Sequence, residues 1–481
     1  MAVWRPGRAG CLLWAAVAAG CGDDAAPSPC AGVDCSGHGV CFVSETTPYC
    51  DCARGYHAEG LACLPGDPPA ACRGVSCSGH GTCVATSTGV AVCECFAGYV
   101  PAGPTCVPAP CGAVWRKTIP GLAVWGVATA PTGTSIFVAG NMGADAVVMQ
   151  LDACGGLVRQ QPLPGPADTW GIATRLLFVD GTMHVFGSYE PWNPSVTPTD
   201  SGAFHARFDP SPLELLERRE LSIGADWSRA WFSSVARGAD GSWWIGGYLV
   251  RDDAGTPQYH ARVVREDAGG TYCVGAPTAD PDAWVEGAAA FDGRIWLSGV
   301  TPTDSYLRSY PPAGAPAEAS CIGGPERDFV LRPPALSWFF PSAILEDGDG
   351  VLLVGEGAGA PASTVAVHLR WSEREGWIAP APWDPTAGYD RFADAVRAPD
   401  GALCAAGAGD YTSETLEEDD GLFACYEPGS LAVRFEYDWP GTGGCSQVAV
   451  DAAGGLLVVC GGWVDTELIR CRPTGECPAM S

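Results

Sequence analysis

Residues 233–247 read SSVARGADGSWWIGG: an apolar run, a turn at Asp240–Gly241, then a second apolar run that ends on glycine. The plan recurs as VATAPTGTSIFVAG (127–140), IATRLLFVDGTMHVFG (172–187), EGAAAFDGRIWLSG (286–299), SAILEDGDGVLLVGEG (342–357), ADAVRAPDGALCAAG (393–407) and SQVAVDAAGGLLVVCGG (446–462). Aligned this way, the turn glycines are Gly133, Gly181, Gly241, Gly293, Gly350, Gly401 and Gly455. A period of about 50 residues marks one supersecondary unit that buries its faces against its neighbours.

Each copy continues with a third apolar run, such as AFHARFD (203–209) or VAVHLRW (365–371), and a fourth, such as LVRQQPLP (157–164) or LAVRFEYD (431–438). Four short strands make a small antiparallel sheet. The second strands are apolar almost throughout, so both faces of each sheet must be covered. A ring of sheets packed face to face achieves this. Residues 111–481 are therefore expected to form an all-β, seven-bladed β-propeller, and the repeats resemble the Gly-turn repeat families of bacterial surface proteins. The last copy stops after its third strand, ELIRCRPTGEC (467–477), while CGAVWRKTIPG, Cys111 to Gly121, stands before the first copy. That segment is expected to supply the missing fourth strand and close the ring. LELLERREL (213–221) favours helix by composition, but its place in the repeat demands a strand.

Upstream, the cysteines fall as C-x4-C-x5-C-x8-C-x-C-x10-C from Cys30 to Cys63, and as C-x4-C-x5-C-x9-C-x-C-x10-C from Cys72 to Cys106. Units this small cannot rely on apolar burial and need cross-links, whose pairing spacing alone leaves open. They share CDCARGY (50–56) and CECFAGY (93–99). On these motifs the modules 30–63 and 72–106 resemble EGF-like domains. The resemblance implies the pairs Cys30–Cys41, Cys35–Cys50 and Cys52–Cys63, then Cys72–Cys83, Cys77–Cys93 and Cys95–Cys106. Val43 and Ala85 stand where the calcium-binding subtype carries Asp or Asn, so no calcium is implied.

The ring region carries ten further cysteines. Cys404 and Cys425 lie on the second and third strands of the sixth copy, and Cys460 and Cys471 hold similar places in the seventh, so the expected bridges are Cys404–Cys425 and Cys460–Cys471. Cys111, Cys154, Cys273, Cys321, Cys445 and Cys477 are left without an assigned partner.

Twenty-four cysteines in all point to an oxidising compartment. The chain opens MAVWRPGRAGCLLWAAVAAGCGDD, in which Arg5 and Arg8 precede an apolar core too short to span a bilayer. Residues 1–20 read as a signal peptide. AAG running into Cys21 resembles a bacterial lipoprotein signal, which implies acylation of Cys21 and a tether over 21–29. Ala18 departs from that family's larger aliphatic residue, and ordinary cleavage is the alternative. The expected location is the outer surface of a bacterial cell envelope, with membrane contact only through the anchor. A net charge of −28 with one lysine, Lys117, excludes nucleic acid and other polyanions as natural partners.

Neither G-x-S-x-G, H-E-x-x-H nor a Walker-type loop occurs, and no cofactor or metal is called for. His205, His260 and His368 sit in HAR, HAR and HLR and read as one structural position seen three times. LEDGDGVLLVGE (345–356) lacks the first ligand of a calcium loop, at Leu345, and reads as a plain turn. Trp125, Trp170, Trp231, Trp284 and Trp338 recur at one place and read as packing between copies. Trp192, Trp227, Trp383 and Trp463 fall off that register, in connecting segments near Tyr189, Tyr389 and Tyr411. Antiparallel connectivity brings the links from second to third strand and from fourth strand to the next copy to one face. Tyr189, Trp192, Trp227, Trp383, Tyr389 and Tyr411 are therefore candidate ligand-binding residues, together with Tyr248 and the carboxylates Asp226, Asp384 and Asp410. The expected partner is an extracellular glycan or protein. Rival readings are a propeller-type polysaccharide lyase or glycosidase, marked by paired carboxylates facing the channel, and a scaffold without ligand.

Overall fold

The seven repeats form seven four-stranded antiparallel sheets in a computed structural model of the chain. It describes residues 30 and 33–478, except 45–46, 53–55, 60, 66–69, 73–74, 76, 80, 86–90, 96–98, 103–104, 109–113, 131–134, 167–168, 192–201, 211–212, 223–226, 228, 254–255, 279, 281, 312–321, 323, 332, 334–335, 349, 359–363, 373–375, 384–389, 410–419, 429–431, 452–453 and 462–464. The signal segment and Cys21 thus lie outside the described residues. The chain divides into two compact units between Asp67 and Pro68.

In each blade the strands pair in chain order. The first strands are Ala123–Thr129, Thr169–Val179, Arg229–Arg237, Trp284–Phe291, Trp338–Asp347, Arg391–Arg397 and Cys445–Val450, for blades one to seven. They contact their counterparts in neighbouring blades, blade seven against blade one included, and so line the central channel. Blade seven takes its fourth strand from Trp115–Pro120, which pairs with Asp465–Cys471. Its register runs from Pro120 opposite Asp465 to Trp115 opposite Arg470, and the Thr466 hydroxyl donates to Leu122 O at 2.6 Å. The ring is closed by joining the two ends of the chain's repeat region.

The apolar second strands are explained by burial on both faces. Leu403–Gly409 is buried at every residue, whereas the outer strand Val433–Trp439 is mostly open. Seven apolar clusters fill the seven blade interfaces. The cluster joining blades seven and one, for example, sets Leu457, Val459 and Leu468 against Val138, Val147 and Met149. LELLERREL is a strand from its second residue on, within Glu214–Ser222. As the outermost strand it carries Glu217, Arg218, Arg219 and Glu220, and Arg207 stands opposite Glu217 with 3.1 Å between Nη1 and Oε2, a pairing that a helix would forgo.

Upstream, Cys30 bonds Cys41, Cys35 bonds Cys50, Cys72 bonds Cys83 and Cys77 bonds Cys93. Cys63 and Cys106 are also disulfide-bonded, while the side chains of Cys52 and Cys95 lie outside the described residues. Both modules hold Ser in the left-handed region at the same place, Ser36 and Ser78 each at φ 56°, so one local fold occurs twice. Loops of 11 to 16 residues closed this way each stabilise such a module by about 3 kcal/mol.

In the propeller, Cys404 bonds Cys425 across a register pair. The expected Cys460–Cys471 bridge is not formed: Cys445 bonds Cys460, and Cys471 bonds Cys477. Register decides this, because Cys471 stands opposite Leu456 while Cys460 faces Glu467 on that side and Cys445 on the other. Cys154 and Cys273 are disulfide-bonded too; Cys111 and Cys321 lie outside the described residues. The turn alignment also needs correction in blades five and seven, where Gly348 and Gly454, not Gly350 and Gly455, adopt positive φ.

Candidate functional site

One irregularity recurs in every blade. The first strand carries a β-bulge at the same register position, and the extra residue is Trp125, Thr174, Ser233, Glu286, Ser342, Ala393 or Ser446. Opposite the residue before each bulge stands Gly140, Gly187, Gly247, Gly299, Gly355 or Gly407, and in blade seven Cys460. A Cβ at any of these glycines would fall 1.8 to 2.1 Å from a first-strand carbonyl oxygen. In six of the seven blades a second-strand glycine is thus the partner of the bulge.

A bulge loosens the ladder and re-aims side chains. In three blades the extra residue's hydroxyl reaches the next blade: Thr174 Oγ1 donates to Phe232 O at 2.5 Å, Ser233 Oγ to Val285 O at 3.5 Å and Ser446 Oγ to Val124 O at 3.5 Å. Each acceptor is the residue just before the neighbour's own bulge, so the hydroxyls stitch blade to blade around the channel. Blades one, four and six give up the hydroxyl, having Trp125, Glu286 and Ala393 instead. Positions that break a structural rule are where function is sought.

Those departures gather charge. Immediately after the bulges come Arg175 in blade two and Asp394 in blade six, where Gly126, Gly287 and Ala343 are small. Arg175, Glu286, Glu356, Arg391 and Asp394 are all half-buried. Arg175 Nη1 donates to Trp125 O at 3.2 Å. Burial pushes the Glu286 carboxyl up to about 7; Arg175 and Arg391 oppose the rise and Glu356 adds to it. Burial likewise raises Asp394, against Arg175 and the N–H groups of Val448, at 3.1 Å, and Ala395. Arg175 therefore acts on both carboxyls, which come from blades four and six.

Aromatic rings flank this cluster at the end of the channel where the first strands begin. Trp125 and Trp231, from blades one and three, meet edge to face with centroids 5.5 Å apart. Tyr259 lies 5.3 Å from Trp284 and 5.4 Å from Tyr248. Burial and the nearby Glu190 and Glu286 raise the half-buried Tyr248 hydroxyl above its ordinary range. Glu190 is itself raised by burial, with Arg229 opposing. Trp338 is 41% exposed. Trp125 and Trp231 thus meet across the channel, while Trp170, donating to Gly143 O of blade one, and Trp284, against Tyr248 and Tyr259 of blade three, pack between copies as expected.

The ring residues expected to bind ligand fare unevenly. Tyr189 is only 1% exposed, packed against Phe204 at 5.0 Å with Arg218 5.1 Å above its ring, and it is not part of an open surface. It lies within the second strand of blade two rather than in the link beyond it, which is why it is buried. Trp227 is half-buried, edge-on to His260 at 5.1 Å, with Arg262 4.8 Å from its ring. Trp192, Tyr389 and Tyr411, with Asp226, Asp384 and Asp410, lie outside the described residues, as does the side chain of Trp383.

The histidines need one correction. His205 and His368 share a register position, opposite Phe186 and Val354, but in blade three Val263 holds that place and His260 precedes it. His205 is buried between His184 Nδ1 at 2.8 Å and Glu266 at 2.7 Å, and Arg219 completes the chain by donating to Glu266 at 2.6 Å. His368 is buried against Tyr426, and neither ring nitrogen has a hydrogen-bond partner among the described residues. Asp347, in the supposed calcium loop, is paired with Arg370 and Arg397. The sulfurs of Cys77, Cys93 and Cys106 cluster, but all three are in disulfides and so are not metal ligands.

Sequence reading missed Glu286, Arg175 and Asp394. The signal was present: in the seven aligned copies the columns at the bulge read WG, TR, SS, EG, SA, AD and SQ, and the charged residues stand out among mostly small side chains.

No family model matches the chain, and no curated protein matches it. Among solved structures it is similar to the Dos1 propeller, with a TM-score of 0.43 and 10% identity over 76% of this chain and 95% of that one. It is also similar to a glucose dehydrogenase, TM-score 0.34 and 14% identity over 60% and 96%. A protein of unknown function from Bacteroides caccae gives a TM-score of 0.33 and 12% identity over 53% and 78%. Similarities this distant carry no argument about activity, and the fold rests on the seven sheets themselves.

Proposed function

We propose that this is an exported, lipid-anchored surface protein of a bacterial envelope, in which two EGF-like modules form a stalk and the propeller captures an extracellular glycan. The disulfides support export, since such bridges persist in oxidising compartments. Among the described residues no helix is long and apolar enough to cross a membrane, and attachment is through an acyl group on Cys21. The observation that supports the binding role is the channel cluster, in which Arg175 donates to Trp125 O, Trp125 meets Trp231 edge to face, and Arg175 acts on the carboxyls of Glu286 and Asp394. Flat rings beside carboxyl and guanidinium groups suit the faces and hydroxyls of sugars.

Retention of the mature chain on an array of bacterial and host glycans tests this reading; binding only to protein surfaces would overturn it. Mass spectrometry of the N-terminus tests the anchor, and an unmodified Cys21 would remove it. A hydrolytic reading has one specific support, the two raised carboxyls Glu286 and Asp394 in one channel. Release of reducing ends from a retained glycan would favour it.

A further inference from the structure

We propose that Arg219, Glu266, His205 and His184 form an acid-operated lock between blades two and three, closed while a hydrogen bond joins its two imidazoles and opened when both are protonated. Three of the four stand where the repeat is mostly apolar. Glu266 is opposite Trp243 in register, a place that the other blades give to Leu151, Phe208, Tyr310, Trp371, Tyr426 and Cys471. Where blade two has His205 and His184, blade one has Val148 and Phe137, and blade seven Leu468 and Leu457. His368 repeats only the histidine, against Tyr426 where blade three has Glu266, and so forms no chain. His184, His205 and Glu266 are 8%, 3% and 1% exposed, and groups so buried are costly unless each is paired.

The chain pairs them end to end. Arg219 Nη1 donates to Glu266 Oε1 at 2.6 Å, and His205 Nδ1 lies 2.7 Å from Oε2. A carboxylate only accepts, so Nδ1 of His205 carries the hydrogen, its Nε2 accepts, and the Nδ1–H of His184 is the donor at 2.8 Å. Glu266 belongs to blade three and the other three residues to blade two, so the chain crosses the seam. Other charged or titratable groups face it. Arg207 stands opposite His184 and is paired with Glu217, which also accepts from Arg219. Arg237 of blade three lies 5.4 Å from the Trp243 ring and pairs with Asp180, and Tyr272 stands opposite Glu266. Burial alone would raise the Glu266 carboxyl, but the hydrogen bonds from His205 and Arg219 hold it below its ordinary value.

One proton taken from water leaves a single hydrogen between the facing nitrogens, and the lock holds. A second puts hydrogen on both, replacing the bond by two cationic rings beside Arg207 and Arg237, with Glu266 already engaged by Arg219. Parting the blades relieves this. Burial and the neighbouring His205, Arg207 and Arg237 lower closed His184 to about 3, whereas a freed imidazole returns to 6.5. Closure is therefore complete above pH 6.5 and is lost as pH falls toward 3. Thr174 Oγ1, donating to Phe232 O, stitches the same two blades at the channel, so opening at the rim reaches Arg175.

Nitrogen NMR of the full chain labelled at its seven histidines reads the tautomers. At pH 7 both His184 and His205 should carry hydrogen on Nδ1; hydrogen on Nε2 of His205 would overturn the chain. Amide exchange corrected for its intrinsic rate should rise by up to about tenfold per pH unit between about pH 6 and 4 in peptides covering His184, His205 and Glu266. Peptides of blade seven should not respond. Glu266→Gln removes the carboxylate and should move the onset up by at least about one pH unit. His184→Phe, His205→Val and Glu266→Tyr together copy Phe137, Val148 and Tyr310 and should abolish the rise. Melting curves establish that the variants fold; if the triple variant does not, the tautomers and Glu266→Gln decide. Flat exchange in the parent, an onset unmoved in Glu266→Gln, or the parent's acid response in a folded triple variant would overturn the lock.

Discussion

Replacing Gly407 by alanine puts a methyl carbon 1.8 Å from the Arg391 carbonyl oxygen, 2.8 Å from its carbon and 2.9 Å from the Phe392 Cα. All three are backbone atoms, so no side chain can turn aside. Relief to an ordinary contact of 3.4 Å needs a shift of more than 1 Å between two paired strands. Phe392, fully buried between blades five and six, would move with its strand. Overpacking of this kind costs about 1–3 kcal/mol, and a stretched ladder hydrogen bond adds about 1 kcal/mol, so a loss of about 2–4 kcal/mol is expected. Gly202→Ala is the control, because its Cβ would meet nothing nearer than Leu221 O at 3.6 Å; alanine there should change stability by less than about 1 kcal/mol. Guanidinium unfolding of both variants with disulfides kept oxidised measures the difference. Equal midpoints for Gly407→Ala and Gly202→Ala would refute the account of the bulge glycines.

Glu286→Gln should also shift the pH dependence of stability. A carboxyl raised to about 7 from 4.5 favours the folded state below its ordinary value, and that contribution is lost as pH rises through 7. The variant should therefore match the parent at pH 4 and exceed it at pH 8, by no more than about 3 kcal/mol; a parent equally stable at both would contradict the burial of this group. His368 behaves oppositely: burial lowers it to about 4, so stability is full above pH 6.5 and falls as pH drops toward 4. His368→Phe, which copies Phe423 of blade six, should flatten that acid limb by up to about 1.4 kcal/mol per pH unit. An unchanged slope would place the acid sensitivity elsewhere. A chain of residues 107–481 should melt cooperatively while 122–481 should be much less stable, since only the longer one contains Trp115–Pro120 and its pairing with Asp465–Cys471. Equal melting temperatures would refute closure by that strand.

The repeat alone determined the architecture of this protein. Seven copies of one strand–turn–strand pattern, apolar on both faces, leave few solutions besides a ring, and a repeat one strand short at its end with a spare strand at its start implies how the ring closes. The same logic overrode the helical composition of LELLERREL, because pairing partners on the third strand were already in place. Local sequence carries such information because period and polarity act within a few residues.

Tertiary structure decided what depends on register and on distance across the ring. A bulge in each first strand shifts pairing by one residue, and with it the cysteine partners: Cys460 meets Cys445, and Cys471 is left for Cys477. Register likewise separates His260 from His205 and His368, although all three share a tripeptide pattern. Tyr189 looked like a loop ring but falls inside a strand, where the preceding blade covers it. The channel cluster shows the same limit most clearly. Arg175, Glu286, Glu356 and Asp394 are scattered over some two hundred residues of sequence, and only the rotation from blade to blade brings their charges within reach of one another. Electrostatic energy depends on separation in space and on surrounding water, and neither is written in the order of residues.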